Sequence, residues 1–368
     1  MATLVLTAVG TALGGPLGGA IGTLIGQSFD QQLFGSASRG PRLGDLTVQT
    51  STYGTQIPRI YGSMRVAGSV IWATELEESE TQTGAKGQPA MTVYSYSVSF
   101  AVALSSRPKG SIKRIWADGK LLRGAAGDLK VTTEFRFHEG GEDQEVDPLI
   151  GSVEGISQAP AYRGLATAVF ENLELAEFGN RIPFLTFEFE ADAFAPPLSA
   201  ILSDASEAQI DSDSATPIDG YAAYGASIKA AVEPLVRHFG LELFDDGSRL
   251  RPATAAAPIQ VRDDDLGNSA GAERADRMER DQAPSRALPA TLTLAYYEAS
   301  RDYQTAQVRA AISEFNGTHE DSQIAAVLSA DFARALVETE LARRWAQRDQ
   351  LTLRLPPRCI GIEPGALL

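Results

Sequence analysis

Residues 93–104, with the sequence VYSYSVSFAVAL, decide the fold of this chain. Their large side chains occupy every second position and alternate with serine or alanine. A period of two over this length indicates a half-buried β-strand, because successive side chains of a strand point to opposite faces of the sheet. The stretch therefore predicts a long strand within a β-rich architecture.

The same alternation recurs in residues 131–137 and 185–190. Asp118-Gly119 and Gly179-Asn180 are reverse-turn signals between such runs. We therefore predict that residues 39–195 form a first β-rich domain, an antiparallel sheet of barrel-like shape.

The chain changes character at the Ala-Pro-Pro of residues 195–197. Residues 196–289 are predicted to form a small α+β domain with a helix over 221–240, a hairpin turning at 245–247, and an excursion rich in alanine, proline and charge. Within this excursion, residues 259–261 read as a short strand.

A second β-rich domain is predicted for residues 290–368. Leu292, Leu294 and Tyr296 alternate as in a strand, residues 324–345 carry the apolar spacing of an amphipathic helix, and residues 351–355 form a last strand. The predicted fold class is mainly β with α+β parts: antiparallel barrel-like domains, a small helix-hairpin domain and a glycine-rich N-terminal helix.

Composition and motifs argue against several classes of function. The net charge of −15 disfavours sequence-specific nucleic-acid binding, and no basic stripe offsets it. The common hydrolase, zinc-protease and phosphate-loop motifs are missing from the sequence. A single cysteine, Cys359, and three scattered histidines offer no metal set, and Cys359 is interpreted as a small core residue. We expect no catalytic residue, no cofactor and no metal.

Acidic residues cluster in three places that are predicted to be loops. Solvated loops are the favoured interpretation of these clusters, and carboxylate pairs for glycan hydrolysis or calcium binding are the alternative. The three clusters are Glu75, Glu77, Glu78 and Glu80; Glu139, Glu142, Asp143, Glu145 and Asp147; and Asp263, Asp264 and Asp265.

The N-terminal segment, residues 1–38, is apolar and rich in glycine, and carries no charge before Asp30. A spacing of four places its main glycine row on one helical face, where a second backbone can approach closely. That row is Gly10, Gly14, Gly18, Gly22 and Gly26. Three interpretations stay open: a flexible tail, helices packed together in an oligomer, and insertion of residues 4–26 into a host membrane.

Several stretches together resemble the tail-tip hub proteins of siphophages and of the related gene transfer agents. The most specific are AYRGLA, FENL and FGNRIP at residues 161–166, 170–173 and 178–183. The others are residues 57–72, 94–96, 115–119, 187–188, 220–247 and 296–304. Large aromatic residues within these motifs, Tyr61, Trp72, Tyr162 and Phe178, are interpreted as core and corner residues.

The resemblance implies a virion structural protein at the distal end of a tail, assembled in bacterial cytoplasm. It implies a homotrimer that caps the six-fold tail tube and gates its channel. The implied partners are the distal tail protein ring, the C-terminus of the tape measure protein, and other tail-tip or fibre proteins that serve receptor binding and penetration. On such a trimer, the glycine row would pack near the axis and line the channel.

The sequence departs from this family at its end. The region after Leu355 resembles the last hub strands but halts at Pro364-Gly365, whereas larger relatives continue into receptor-binding or cell-wall-degrading parts. Two alternatives to the hub stay open, both acting during infection: a tail-associated cell-wall hydrolase, which the acidic clusters suggest, and a membrane-penetrating module, which residues 4–26 suggest.

Overall fold

The computed structural model describes residues 56–83, 91–253, 258–267, 269–270, 273–274, 276–312, 317–362 and 364–368. In the first half of the chain the elements are β1 (Arg59–Ala67), β2 (Ser69–Ala73), β3 (Glu77–Thr83), β4 (Met91–Ser105), β5 (Ser111–Ala117), β6 (Lys120–Arg123), β7 (Glu134–His138), α1 (Pro148–Glu154), β8 (Ala166–Glu174) and β9 (Leu185–Glu190). The glycine row of residues 10–26 lies outside the described residues.

The second half contributes three more helices and the remaining strands. They are α2 (Leu198–Ala205), β10 (Gly220–Ala223), α3 (Ile228–Phe239), β11 (Leu243–Asp245), β12 (Leu250–Pro252), β13 (Ser269–Ala270), β14 (Glu273–Arg274), β15 (Met278–Gln282), β16 (Pro289–Glu298), β17 (Gln304–Ala311), β18 (Thr318–Val327), α4 (Ala330–Ala346) and β19 (Asp349–Leu353). None of the helices in the described ranges is both long and apolar enough to cross a membrane.

The largest sheet has eight strands in the order β17-β16-β18-β10-β1-β9-β5-β6. It takes strands from all three regions predicted after residue 38. Neighbouring strands are antiparallel except β16 and β18, which run parallel because β18 returns to the far side of β16 after the β16–β17 hairpin. The sheets are not closed into a barrel, so the mainly-β prediction is confirmed and the barrel-like description is only loosely met.

The predicted long strand is confirmed as β4, which lies in a five-stranded sheet of order β2-β4-β8-β7 with β3 also paired to β4. Its large residues Phe100, Val102 and Leu104 enter the core. The opposite face is covered as well, because Ala101 packs with Ile150 of α1. The alternation therefore predicted the position of the strand correctly. The prediction that the strand is half-buried is wrong for this part of β4, because both of its faces are covered.

Two hydrophobic cores hold the described part together. The first packs the five-stranded sheet against β1, β5 and β9, with the Phe100 and Phe170 rings stacked 5.0 Å apart. The second packs α2, α3 and α4 against β10, β16 and β18, around Tyr221 and Tyr296. Both side chains are almost completely buried.

Three sequence predictions about elements are wrong in detail. Tyr221 lies in β10, paired to Tyr61 of β1, and α3 begins only after Ser227, whose hydroxyl accepts from the Ala230 amide. Ile324 lies in β18, and α4 begins after the cap Ser329. Residues 259–261 form no strand, although the backbone N–H of Ile259 donates to the Leu367 carbonyl.

Candidate binding site at the end of the first strand

Strand β1 changes partner halfway along its length. Its first residues, 59–62, pair with β10 and its later residues, 63–67, pair with β9. Gly62 sits at the change with φ of +64°, and a Cβ there would lie 2.2 Å from the Asp219 carbonyl oxygen. Only glycine fits this position, because it needs both a left-handed backbone and a close approach of main chains.

The start of β1 carries what we call the polar node, formed by Arg107, Asp192, Tyr61 and Asp204. Asp192 accepts two N–H groups of Arg107, at 2.7 and 3.0 Å, and the backbone N–H of Gly62 at 3.0 Å. Burial alone would raise the pKa of Asp192, but these hydrogen bonds and the Arg107 charge hold it below its usual range. Arg107 also covers the Tyr61 ring, whose hydroxyl donates to Asp204 at 2.7 Å. The charged and polar side chains of the node therefore bind one another.

The far end of β1 carries Arg65, whose guanidinium lies 3.9 Å from the centre of the Trp116 ring. Arg65 Nε donates to the Thr186 hydroxyl at 2.9 Å, and one terminal nitrogen makes a long contact of 3.5 Å to the Asp302 carbonyl. Among the described residues it forms no ion pair. Burial therefore lowers its pKa.

A second arginine, Arg114, shares the Trp116 ring at 4.8 Å but has different partners. It binds the carboxylates of both Glu188 and Asp302. Hydrogen bonding to Glu188 raises the pKa of Arg114. One tryptophan thus stacks with a doubly paired arginine and an unpaired one.

Arg65 lines a partly open cavity of 330 Å³. Ala67 and Phe184 make part of its lining apolar, while Tyr297 and Tyr303 supply phenols. Tyr297 is only 6% exposed, and its hydroxyl has no hydrogen-bond partner among the described residues. Burial raises its pKa, so this hydroxyl stays protonated and remains a donor.

The connection between β16 and β17 forms one side of the cavity. Asp302 and Tyr303 both adopt left-handed backbone, with φ of +53° and +60°. This conformation costs free energy in residues other than glycine, and such outliers cluster at binding sites. Tyr303 is held by a hydrogen bond from its hydroxyl to Glu188 at 3.2 Å, and burial raises its pKa to about 12.

Most residues of the three acidic clusters lie at the surface. Glu77 and Glu78 lie in strand β3, so the loop predicted for them is wrong. Asp147 is buried, caps α1 and binds Arg136, so it is a structural carboxylate and not part of a solvated loop. Within the described ranges, no group of three or more metal-ligating side chains comes together.

The four aromatic residues of the motifs, and Cys359, lie in different environments. Tyr61 and Phe178 are buried in the two cores, and Trp72 donates from its indole to Glu154 at 3.0 Å. Tyr162 packs beside α1 with a left-handed backbone, φ +50°. Cys359 is only partly buried in a short 3-10 turn, so its interpretation as a core residue is not met.

Sequence reasoning missed the cavity, although it had singled out most of the segments that build it. Arg65 and Tyr297 each come from a motif stretch that carries the family resemblance, as do Gly119 and Tyr303. The motif stretches therefore contained residues of the cavity, but strand order determines that these stretches come together in space. In chemical terms, the site offers unpaired hydrogen-bond donors beside an apolar wall, which suits ligand binding.

Comparisons with known proteins agree with the resemblance. Residues 227–368 match the model of a family described as "Putative phage tail protein". Among solved structures, the chain is similar to a chain of the "Virion of native gene transfer agent (GTA) particle", with 29% identity and a TM-score of 0.72, covering 96% of this chain and 87% of that chain. The curated proteins gave no match. The resemblance to phage-tail and gene-transfer-agent proteins is thereby confirmed.

Proposed function

We propose that the chain is a structural protein of a phage or gene-transfer-agent tail and that it forms the hub at the distal end of that tail. Three copies would cap the six-fold tail tube. They would join the distal tail ring and the C-terminus of the tape measure protein to receptor-binding and penetration proteins. The observation that carries this proposal is the near full-length similarity to a chain of a gene transfer agent virion.

The surface supports a role among other subunits. Phe194 is 86% exposed, Ile156 81% and Ile360 92%. Strand β17 ends the eight-stranded sheet and β7 ends the five-stranded sheet, and no further strand of the described residues pairs with either edge. Open edges and exposed apolar side chains promote association, so neighbouring tail subunits would cover them in the assembled tip.

The two cores support the idea of a three-to-six adaptor. A ring of three chains meets a ring of six only if each chain presents two comparable contact regions. The first core, with β4 and β8, and the second, with β16 and β18, give each chain two β-rich bodies that share one sheet. We propose that these bodies face successive subunits of the distal tail ring.

We also propose that the glycine row packs near the trimer axis and lines the channel. Gly10, Gly14, Gly18, Gly22 and Gly26 would allow three helices to pack closely around the trimer axis. There they would gate the channel and contact the host membrane, through residues 4–26, only when the tail opens. Assembly would take place in bacterial cytoplasm, before the particle is released.

Cryo-electron microscopy of intact particles tests the hub directly. We expect density for three copies at the distal tip of the tail, and a sedimentation mass of three chains for the purified protein. Density elsewhere in the particle, or a monomer that stays monomeric with the distal tail protein, would contradict the hub. A peptidoglycan zymogram should show no clearing, and clearing would favour the hydrolase alternative.

A further inference from the structure

The cavity at the far end of β1 has no role in the hub as described above. Its most unusual feature is the pairing of charges around Trp116. The carboxylates of Glu188 and Asp302 both bind Arg114, and none binds Arg65. A half-buried guanidinium without a carboxylate partner is uncommon, because a desolvated charge costs free energy unless it is compensated.

A second donor that lines the cavity also lacks a partner. Tyr297 lines the cavity, is nine-tenths buried and has a hydroxyl without an acceptor. Tyr303 also lines the cavity, but its hydroxyl donates to Glu188. The wall therefore presents two donors, the Arg65 guanidinium and the Tyr297 phenol, and the missing component is an acceptor.

We propose that this cavity binds a carboxylate group carried on a short apolar stem. The carboxylate would accept from the free N–H groups of Arg65, with Tyr297 as a second donor. The stem would lie against Phe184 and Ala67, which line the cavity. A volume of 330 Å³ accommodates a group of the size of a glutamate side chain with room for water.

Charge balance favours a carboxylate over a phosphate. Among the residues that line the cavity, Arg65 is the only cation and Asp302 the only carboxylate, and the Asp302 carboxylate binds Arg114, outside the lining. The Arg65 guanidinium, which has no carboxylate partner, can offset one additional negative charge, whereas the second charge of a phosphate would lie uncompensated beside the Asp302 carboxylate.

The test uses butyrate as the probe and butyramide as its uncharged counterpart. Ligand-observed NMR with the purified full-length chain, at constant ionic strength, should show saturable binding of butyrate and at least about tenfold weaker binding of butyramide. Equal binding of both compounds, or no saturable binding of butyrate, would overturn the proposal.

Two variants assign the binding to the cavity. Arg65→Met should weaken butyrate binding at least about tenfold, whereas Arg163→Met, at an exposed arginine that does not line the cavity, should leave it unchanged. Tyr297→Phe removes only the unpartnered hydroxyl, so the fold is kept while affinity falls by about threefold or more. Full affinity in Arg65→Met would overturn the proposal, and full affinity in Tyr297→Phe would remove Tyr297 from it.

The source of the carboxylate is decided in assembled particles. A photoreactive benzoylphenylalanine at Thr305, an exposed residue of the cavity lining, should cross-link to another tail polypeptide if the carboxylate is an acidic side chain of a neighbour. Butyrate binding without a cross-link assigns a free carboxylate. Because the NMR experiment needs only the purified chain, its failure would leave the hub proposal untouched.

Discussion

The two ends of β1 show opposite solutions to placing charge at the margin of a core. At the start of the strand, Arg107 and Asp192 satisfy each other, and Tyr61 links them to Asp204. At the far end, Arg65 stacks on a ring and keeps free donors. The first arrangement stabilises the point where β1 changes partner. The second leaves binding capacity unused within the described chain. Closed networks are thus structural elements, and open ones mark places for a partner.

The largest effect is expected at the backbone between the two ends. Gly62→Ala adds left-handed strain and an overlap with the Asp219 carbonyl, so we expect a loss of about 4 kcal/mol in the free energy of unfolding. Gly179 has nearly the same φ, +66°, and open space around it, so Gly179→Ala should cost about 1 kcal/mol. Urea denaturation measures both. Equal losses would show that the close approach at Gly62 does not matter.

Breaking the polar node should come next. Arg107→Met leaves the largely buried Asp192 carboxylate without its bidentate partner, and we expect a loss of about 3 kcal/mol in the free energy of unfolding. Lys130→Met removes an ion pair to Asp128 in which both side chains are about half exposed, so it should lower the denaturation midpoint far less than Arg107→Met does. Denaturation midpoints compare the two. A loss at Arg107 as small as that at Lys130 would contradict the structural role of the node.

The node should also make stability depend on pH in the acid range. Since the pKa of Asp192 is lowered in the folded chain, the unfolded chain takes up its proton first as pH falls. The stabilisation is present above the ordinary aspartate pKa and is lost as pH falls through the folded value. We expect the stability difference between the native chain and Asp192→Asn to be constant near neutral pH and to shrink below about pH 4. Denaturation over a pH series measures it, and a difference independent of pH would exclude Asp192 as the source.

The sequence predicts some elements of the fold better than others. The alternation in β4 is a local property, so periodicity located that strand correctly. Ile324 fitted a helical spacing with Leu328 and Phe332, but it lies in β18, because pairing with β16 and β10 outweighs local pattern. The motif stretches around Arg65 and Tyr297 carry the family resemblance, yet their meeting at one cavity depends on strand order and on the left-handed backbone at Asp302, which no local pattern predicts.

The smallest effect on stability is expected at the open end of β1. Arg65→Met leaves no carboxylate without its partner, because Glu188 and Asp302 bind Arg114. It removes one stacking contact with Trp116 and one hydrogen bond to Thr186, while methionine keeps apolar contact with the ring. We expect a change of about 1 kcal/mol or less in the free energy of unfolding.

The same substitution, arginine to methionine, thus gives a large loss at Arg107 and a small one at Arg65, and denaturation of the two variants side by side measures the contrast. A loss at Arg65 as large as at Arg107 would mean that its guanidinium is already fully used within the chain. In that case the two ends of β1 would not differ in kind, and the free donors at Arg65 would no longer point to an external carboxylate.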